Sequence, residues 1–371
     1  MIPMLYEKAY HGTGNSDRIG RLPAWIECEV TEEHNGGFYL KGTLPAGATN
    51  VNELVADRII AAAPAPPRSG YNPVQPFRIR KVSKPPGANR VAVEAHHVSY
   101  QLTENIVKPA SVNYASAQDA MLWVFGRTSQ GSRVVPPLHS AFVFESDIVL
   151  QEAVQYTQLS PITVRAALGG VEGCFLDLYG GELEWDGWSV RLLASRGVVR
   201  DLPIAYGRNM ATLEFDTDAA GMVNAYYGWG RWNGTYRDTG PIYKPNYADW
   251  AYPRVEPVDL SSEFDELPSD ADLAAALQAY ADTQNNYHLP TSITVTAVPA
   301  ALQSVFLCDT IRVIHPGYQI SQPAKIVKTV FDPIRERYTA VTIGEIQKGI
   351  TDTIARMLSR GEPNEFTSYQ I

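Results

Sequence analysis

Trp25-Ile-Glu-Cys-Glu-Val30 puts Ile26, Cys28 and Val30 on one side of an extended chain and Glu27 and Glu29 on the other. A period of two is the mark of a half-buried strand. Asn35-Gly36-Gly37 follows, a hairpin-turn sequence, and Phe38-Tyr-Leu-Lys-Gly-Thr-Leu44 resumes the extended pattern. Outward from this hairpin, Phe77-Arg-Ile-Arg-Lys-Val82 also alternates, and Lys84-Pro85-Pro86-Gly87 turns the chain into Arg90-Val-Ala-Val-Glu-Ala95. Four or more such strands, each with one wet face, predict a small antiparallel barrel or sandwich over the first hundred residues.

The middle of the chain reads as mixed structure. Ser116 is placed to cap a helix over Ala117–Phe125, with Asp119 near the positive helix end. Ser160-Pro161 reads as a cap and first-turn proline before Ile162–Leu168, which Gly169-Gly170 stops, and a second short helix is expected over Val171–Leu178. Glu182-Leu-Glu-Trp185, Asp186-Gly187 and Trp188-Ser-Val-Arg-Leu-Leu193 read as a hairpin with an Asp-Gly loop. Later, Ser269 caps a helix whose apolar positions Leu273, Leu277 and Tyr280 follow helical spacing. Strands are expected at Met210–Phe215, Ser292–Val298, Thr310–His315, Ala324–Val330 and Tyr338–Ile343, then a closing helix carrying Ile346, Ile350, Ile354 and Met357. Ile79, Lys81 and Arg90 share their spacing with Ile326, Lys328 and Arg337, which hints at two related β units near the chain ends.

Composition narrows the function classes. Lys and Arg number 31 against 40 Asp and Glu, a formal charge of −9, while 45% of residues are apolar and 19% charged. That excludes a disordered acidic chain, and it leaves no basic surplus to neutralise phosphates as a general nucleic-acid binder must. The low charge leaves room for large buried subunit contacts. Cys28, Cys174 and Cys308 are odd in number, far apart and in no CxxC pair, so buried free thiols are expected rather than a disulfide framework or a zinc ribbon. Such thiols suit a reducing cytoplasm. Met1–Tyr10 lacks the pattern of a secretory signal, and the apolar run Ile59–Ala63 ends at Pro64, far short of the ~20 residues of a membrane helix. A soluble protein is expected.

Each constellation with possible chemistry has a plainer reading. His96 and His97 are strand neighbours and point to opposite faces, so a structural role is expected rather than one shared metal. Glu182 and Glu184 face the same side of a strand ~7 Å apart, inside the range of a glycosidase carboxylate pair, with Asp186 nearby. The favoured expectation for them is a solvated hairpin face. Ser195, Asp201 and His288 supply triad ingredients without a nucleophile elbow, and Gly169-Gly170 lacks nucleotide-loop spacing. The aromatic stretch Tyr226-Tyr227-Gly-Trp229-Gly-Arg-Trp232-Asn-Gly-Thr-Tyr236, within 226–252, fits core packing, a protein interface or sugar stacking.

Several segments, in order, resemble the prophage endopeptidase tail, or minor structural, family of phage tail proteins. They are Val93-Glu-Ala-His-His-Val-Ser-Tyr-Gln-Leu102, Ser116-Ala-Gln-Asp-Ala120, Tyr179-Gly-Gly-Glu-Leu-Glu-Trp185 with Ser195-Arg-Gly197, Ile204-Ala-Tyr-Gly-Arg-Asn209 with Tyr227-Gly-Trp-Gly230, Cys308-Asp309-Thr-Ile-Arg-Val313, and Lys325–Gly344 with Phe331-Asp332-Pro333 and Arg337-Tyr338. The resemblance spans roughly residues 25 to 350. It implies a baseplate-hub fold of mainly β, α+β class: a first β-barrel over 1–108, an α/β insert over 109–203, a second β-barrel over 204–345 with an inserted helix at about 269–286, and a C-terminal helix and tail over 346–371. It also implies a homotrimer whose paired barrels form a pseudo-sixfold ring in the virion tail tip. Its partners would be the distal tail protein, the tape-measure protein and a tip fibre or lysin, after synthesis in the bacterial cytoplasm. DNA would only pass through, and an acidic balance suits such a channel. The chain ends about twenty residues after the hub-like part, too few for a hydrolase module, so no enzymatic activity, catalytic residue, cofactor or metal is expected. The alternatives are a cell-wall hydrolase of the tail-lysin type using Glu182 or Glu184, and a carbohydrate-binding receptor module.

Overall fold

Strand Glu27–Glu33 pairs antiparallel with Phe38–Pro45, Val30 opposite Leu40 and Glu32 opposite Phe38, so the opening hairpin forms where its spacing predicts. Cys28 and Val30 face the core as expected, whereas Ile26, just before the strand, is exposed. The same inward face carries Glu32, which is also buried. The coordinates are a computed structural model that describes residues 1–344 apart from 13–15, 86, 129–130, 218–221, 246, 285–286, 288–290, 298–304 and 319. The C-terminal helix and tail expected over 346–371, and His288, lie outside the described residues.

The fold is mainly β with a mixed insert, as expected. Two compact units divide the chain: Met1–Leu213 with Thr294–Ile314 and Lys325–Ile343, and Glu214–Ile293 with His315–Ala324 and Gly344–Ile371. In the first, the 27–45 hairpin sits at the middle of the main sheet. Arg90–His97 and then Gln75–Ser83 add to it on one side, followed by Ile59–Ala62, Met4–Tyr6 and Arg18–Arg21. On the other side Lys328–Phe331 pairs with Val30–Glu33. The two hairpins with matching residue spacing therefore flank the central one within a single sheet, with Ile79 and Ile326 both buried. Among the described residues the pairing order is a path, with no bond joining its two ends.

The insert packs against this sheet. Helix Ala117–Phe125 buries Ala117, Ala120, Met121, Val124 and Phe125, one face at helical spacing, and Ser116 Oγ accepts from Asp119 N–H at 3.2 Å. Phe125, Phe144, Phe175 and Tyr156 form a chain of ring contacts, with centroids 4.8 to 5.3 Å apart. Strand Val149–Gln158 pairs with Ala110–Ser116 as a two-stranded ribbon. Strand Val143–Ser146 runs parallel to Ser189–Leu193 of the 182–193 hairpin.

Three local expectations need correction. The helix expected from Ile162 starts at Val164, because Ile162 and Thr163 pair as strand with Val107 and Ile106; Thr163 Oγ1 is the cap, accepting from Ala166 N–H at 3.1 Å. The helix expected over Val171–Leu178 spans Phe175–Tyr179. In the 182–193 hairpin Asp186 pairs with Ser189, so the loop is Gly187-Trp188. Gly187 has φ 60°, the left-handed conformation that a primed turn requires at its first central position.

The second unit centres on Ala225–Trp232. This strand pairs antiparallel with Thr235–Asp238 and Ile242–Tyr243 and parallel with Val255–Asp259. Helix Asp270–Thr283, capped by Ser269 Oγ, lays Leu273, Leu277 and Ala281 on Tyr226, Trp232, Val258 and Leu260. No helix among the described residues is long and apolar enough to cross a membrane.

Candidate functional site

Glu182 and Glu184 are 4% and 5% exposed, so the solvated hairpin face expected of them is wrong. Alternation distinguishes two faces of a strand but not how many of them meet another layer. Here Leu183 and Trp185 enter the insert core, while the two glutamates meet charged groups from distant parts of the first unit.

Arg196 is the centre of that cluster. Its guanidinium donates to Glu32 Oε1 at 2.7 Å and to the Leu183 carbonyl at 2.9 Å, and its Nε lies 3.6 Å from Glu184 Oε2. Its backbone N–H donates to Glu182 Oε2 at 2.6 Å. Lys325 Nζ donates to Glu182 Oε1, and His34 Nε2 lies 3.5 Å from the same oxygen. Arg191 spans Glu184, Asp186 and Glu145 at 2.7, 3.0 and 3.2 Å. Asp309, fully buried, accepts from Val198 N–H at 2.9 Å, Phe306 N–H at 3.0 Å and Arg200 Nε at 2.7 Å. Buried carboxylates persist only when paired and hydrogen-bonded in this way.

The electrostatics follow. Burial alone would raise the Glu182 carboxyl, but hydrogen bonds from Lys325 and the Arg196 backbone, with the His34 ring 3.5 Å away, outweigh it and hold the group down at about 2. Burial also lowers Arg196, yet Glu32 and its neighbours hold the guanidinium above its ordinary value. A glycosidase pair needs one carboxyl kept protonated near neutral pH. Glu182 is shifted in the opposite sense.

A depressed carboxyl stabilises the fold fully above its unfolded value, near 4.5, and that stabilisation is lost as pH falls toward about 2. The thermal midpoint is therefore expected to fall across this window, and Glu182→Gln is expected to flatten the fall. Equal slopes for the two proteins between pH 5 and pH 2 would show that the ion pairs on Glu182 contribute nothing.

His34, Glu182 and Cys308 each offer an atom within 4.8 Å of the other two, a set that zinc accepts in principle. They do not fit an ion here. Lys325 already places an ammonium on the glutamate, and burial pushes the Cys308 thiol up to about 12, so it stays protonated. Cys28, Cys174 and Cys308 are all buried free thiols, as expected.

The other residues singled out take structural places. His97 is buried and stacks on Phe38 at 4.4 Å; Ser99 N–H donates to its Nδ1, so its Nε2–H donates to Gln75 Oε1 at 3.2 Å. His96, on the opposite face, lies 4.7 Å from the Tyr100 ring. Ser195 is exposed and its hydroxyl donates to the Gly197 carbonyl, while Asp201 is exposed. Gly169 ends the helix Val164–Leu168. In the aromatic stretch Tyr226 and Trp232 are core, whereas Trp229 stacks on the exposed Tyr236 at 6.4 Å. Sequence reasoning gave no role to Glu32, His34, Arg196, Lys325 or Asp309. The available signal was Glu32, two residues beyond Val30 on the buried face.

Residues 199–354 match the family described as prophage endopeptidase tail. Over that stretch, less than half of its length, the chain is similar to phage tail proteins. Solved structures agree in fold over nearly the whole chain. A prophage tail protein of Listeria monocytogenes is 14% identical with a TM-score of 0.57, covering 97% of this chain and 99% of that one. The 43 kDa tail protein of a Shewanella oneidensis prophage is 9% identical with a TM-score of 0.58, covering 95% and 99%. A Neisseria meningitidis tail protein is 9% identical with a TM-score of 0.53, at the same coverage. At such identities the likeness is one of fold. No curated protein matches the sequence.

Proposed function

We propose that this chain is a phage tail protein, a baseplate hub adapter of the phage or prophage tail tip. It would act as a homotrimer that closes the tail tube, docks on the distal tail ring and carries a tip fibre or lysin. The observation that carries this reading is the family match over residues 199–354. Two features support a role through binding surface rather than reaction. The carboxylates that looked most like a catalytic pair are tied into buried ion pairs. On the 110–158 ribbon, Gln155 faces Asn113 and Thr157 faces Ser111, and all four are exposed and uncharged; Leu159 beyond them is 86% exposed. Strand faces meant for water normally carry charge, and charge is depleted at the centres of protein interfaces. On this reading the protein works in the virion tail after synthesis in the host cytoplasm, with no cofactor and no catalytic step.

The test is the mass of the purified chain with its distal tail protein, by light scattering, with rings sought by electron microscopy. A complex holding three copies of this chain is the expected result. A mixture that stays monomeric, together with a cleared band in cell-wall zymography that a folded Glu182→Gln variant loses, would replace this reading with the lysin.

A further inference from the structure

We propose that the first unit holds a carboxylate-binding site at Arg165, in the cavity beside the Asn35-Gly36 turn and strand Glu182–Asp186. The cavity has a volume of about 250 Å³. That is smaller than most sites for a whole small molecule, so it suits a small acid or the end of a side chain. Arg165 lines it with Asn35, Tyr100, Leu183 and Trp185, and no lining residue is acidic.

Arg165 is a half-buried cation without an ion pair. Its guanidinium donates to Ser99 Oγ at 3.1 Å and to the Gly36 carbonyl at 2.9 Å, both neutral groups. The Tyr100 and Trp185 rings lie 4.0 and 4.8 Å from its Cζ. A guanidinium has five N–H groups in one plane, and these two bonds leave the others without an acceptor among the described residues. They are not sealed from solvent. No Arg165 nitrogen is among the fully buried polar atoms that lack a partner, whereas Trp185 Nε1 is. Arg196 shows what is missing. Burial lowers both guanidiniums, but Glu32 and its neighbours hold Arg196 above its ordinary value, while no carboxylate does so for Arg165.

The surroundings are positive as well. His96, 4.7 Å from the Tyr100 ring, is lowered by burial and further by Arg80, Lys41 and Arg165, against the pull of Glu94. A cation or a neutral ligand would leave this charge uncompensated. Among anions a carboxylate fits best. It is planar and takes two parallel N–H bonds from one guanidinium, and a methylene stem behind it would meet the apolar wall of Leu183 and Trp185. Phosphate or sulfate needs donors from several directions. Asn35, on the same wall, is already bonded to the Leu183 N–H at 2.7 Å and the Gly181 carbonyl at 3.4 Å.

This inference goes beyond the tail-tip reading and is tested on the isolated full chain, without assembly, so its failure leaves that reading intact. The probes are N-acetylglutamate amide, which presents the side-chain carboxylate of a protein partner, and acetate, the free small acid. Each is added to about 50 mM at constant ionic strength, which detects millimolar affinity. N-acetylglutamine amide is the neutral control. Fluorotryptophan in the chain is read by fluorine NMR, with the Trp185 signal assigned by its loss in Trp185→Phe. Saturable displacement of that signal by a carboxylate is expected, with none from the glutamine amide. A tighter response to the glutamate amide would assign the site to an acidic side chain, and a tighter response to acetate would assign it to a free acid. Arg165→Gln should weaken the affinity tenfold or more. Arg165→Lys, which keeps the charge but loses the planar fork, should weaken it threefold or more. The wild-type signal locates the site independently of how these variants fold. No saturable displacement by either carboxylate would overturn the inference. So would displacement that the glutamine amide or inorganic phosphate matches, or that a folded Arg165→Gln leaves unchanged.

Discussion

Arg196→Met is expected to lower the unfolding free energy by about 3–5 kcal/mol, the usual cost of removing one partner from a buried ion pair. The Arg196 side chain is 4% exposed and reaches Glu32 at 2.7 Å, Glu184 at 3.6 Å and the Leu183 carbonyl at 2.9 Å. Glu184 keeps Arg191 when Arg196 is lost. Glu32 does not keep an equivalent partner: Arg196 supplies its one ion pair among the described residues, and it lies on the inward face of the central hairpin. The variant therefore strands a carboxylate in the interior, and the denaturant midpoint should fall with it. The double variant Arg196→Met with Glu32→Leu should recover at least about 1 kcal/mol, because it leaves no unpaired charge there. Arg58→Met is the contrast. Its partners Glu7 and Glu53 are solvent-exposed, so the loss should stay below about 1 kcal/mol. If the Arg196 single variant matched Arg58→Met, the buried cluster would not be what holds these segments together.

The parts of this molecule legible in the sequence are those set by neighbours along the chain. The 27–45 hairpin, the Ser116 and Ser269 caps and the apolar face of Asp270–Thr283 all rest on interactions within a few residues. The candidate site rests on the opposite kind. Lys325 meets Glu182 across 143 positions and Arg196 meets Glu32 across 164, and no local pattern encodes such pairings. The solvated face assigned to Glu182 and Glu184 failed for that reason. The Asp-Gly turn moved by one residue because Gly187, not Asp186, adopts the positive φ, which put Trp188 into the loop. The segments that carried the family resemblance include Ser195-Arg-Gly197, Cys308-Asp309 and Lys325. Three members of the buried cluster come from them. The resemblance was therefore carried in part by side chains and backbone that lock the first unit together.

Gly197→Ala is expected to cost more than about 3 kcal/mol and to remove most soluble protein at 37 °C. The cause is space rather than backbone conformation. A Cβ at Gly197 would fall 1.8 Å from the Cys308 carbonyl oxygen, 2.1 Å from its carbonyl carbon and 2.5 Å from Asp309 N. These are main-chain atoms, so no rotamer change relieves the clash. The two segments are also laced together on either side of the contact. Thr310 N–H donates to the Val198 carbonyl at 3.0 Å, and Val198 N–H donates to Asp309 Oδ1 at 2.9 Å. Val199 and Thr310 then begin a parallel strand pair. Cys308 itself holds φ 70°, a left-handed conformation rare for a residue with a side chain, which leaves its carbonyl little freedom to swing away. Moving the segments apart would break these bonds and draw Asp309 from Arg200 at 2.7 Å and Arg196 from Glu32 at 2.7 Å. One methyl group thus acts on the strand junction and the ion cluster together. Gly47→Ala is the control: nothing lies within 4 Å of its added Cβ and its φ is not positive, so its effect should stay within about 0.5 kcal/mol. Thermal midpoints that coincide for the two variants would mean that 196–198 and 308–310 part easily, and the interlocked core derived from them would have to be abandoned.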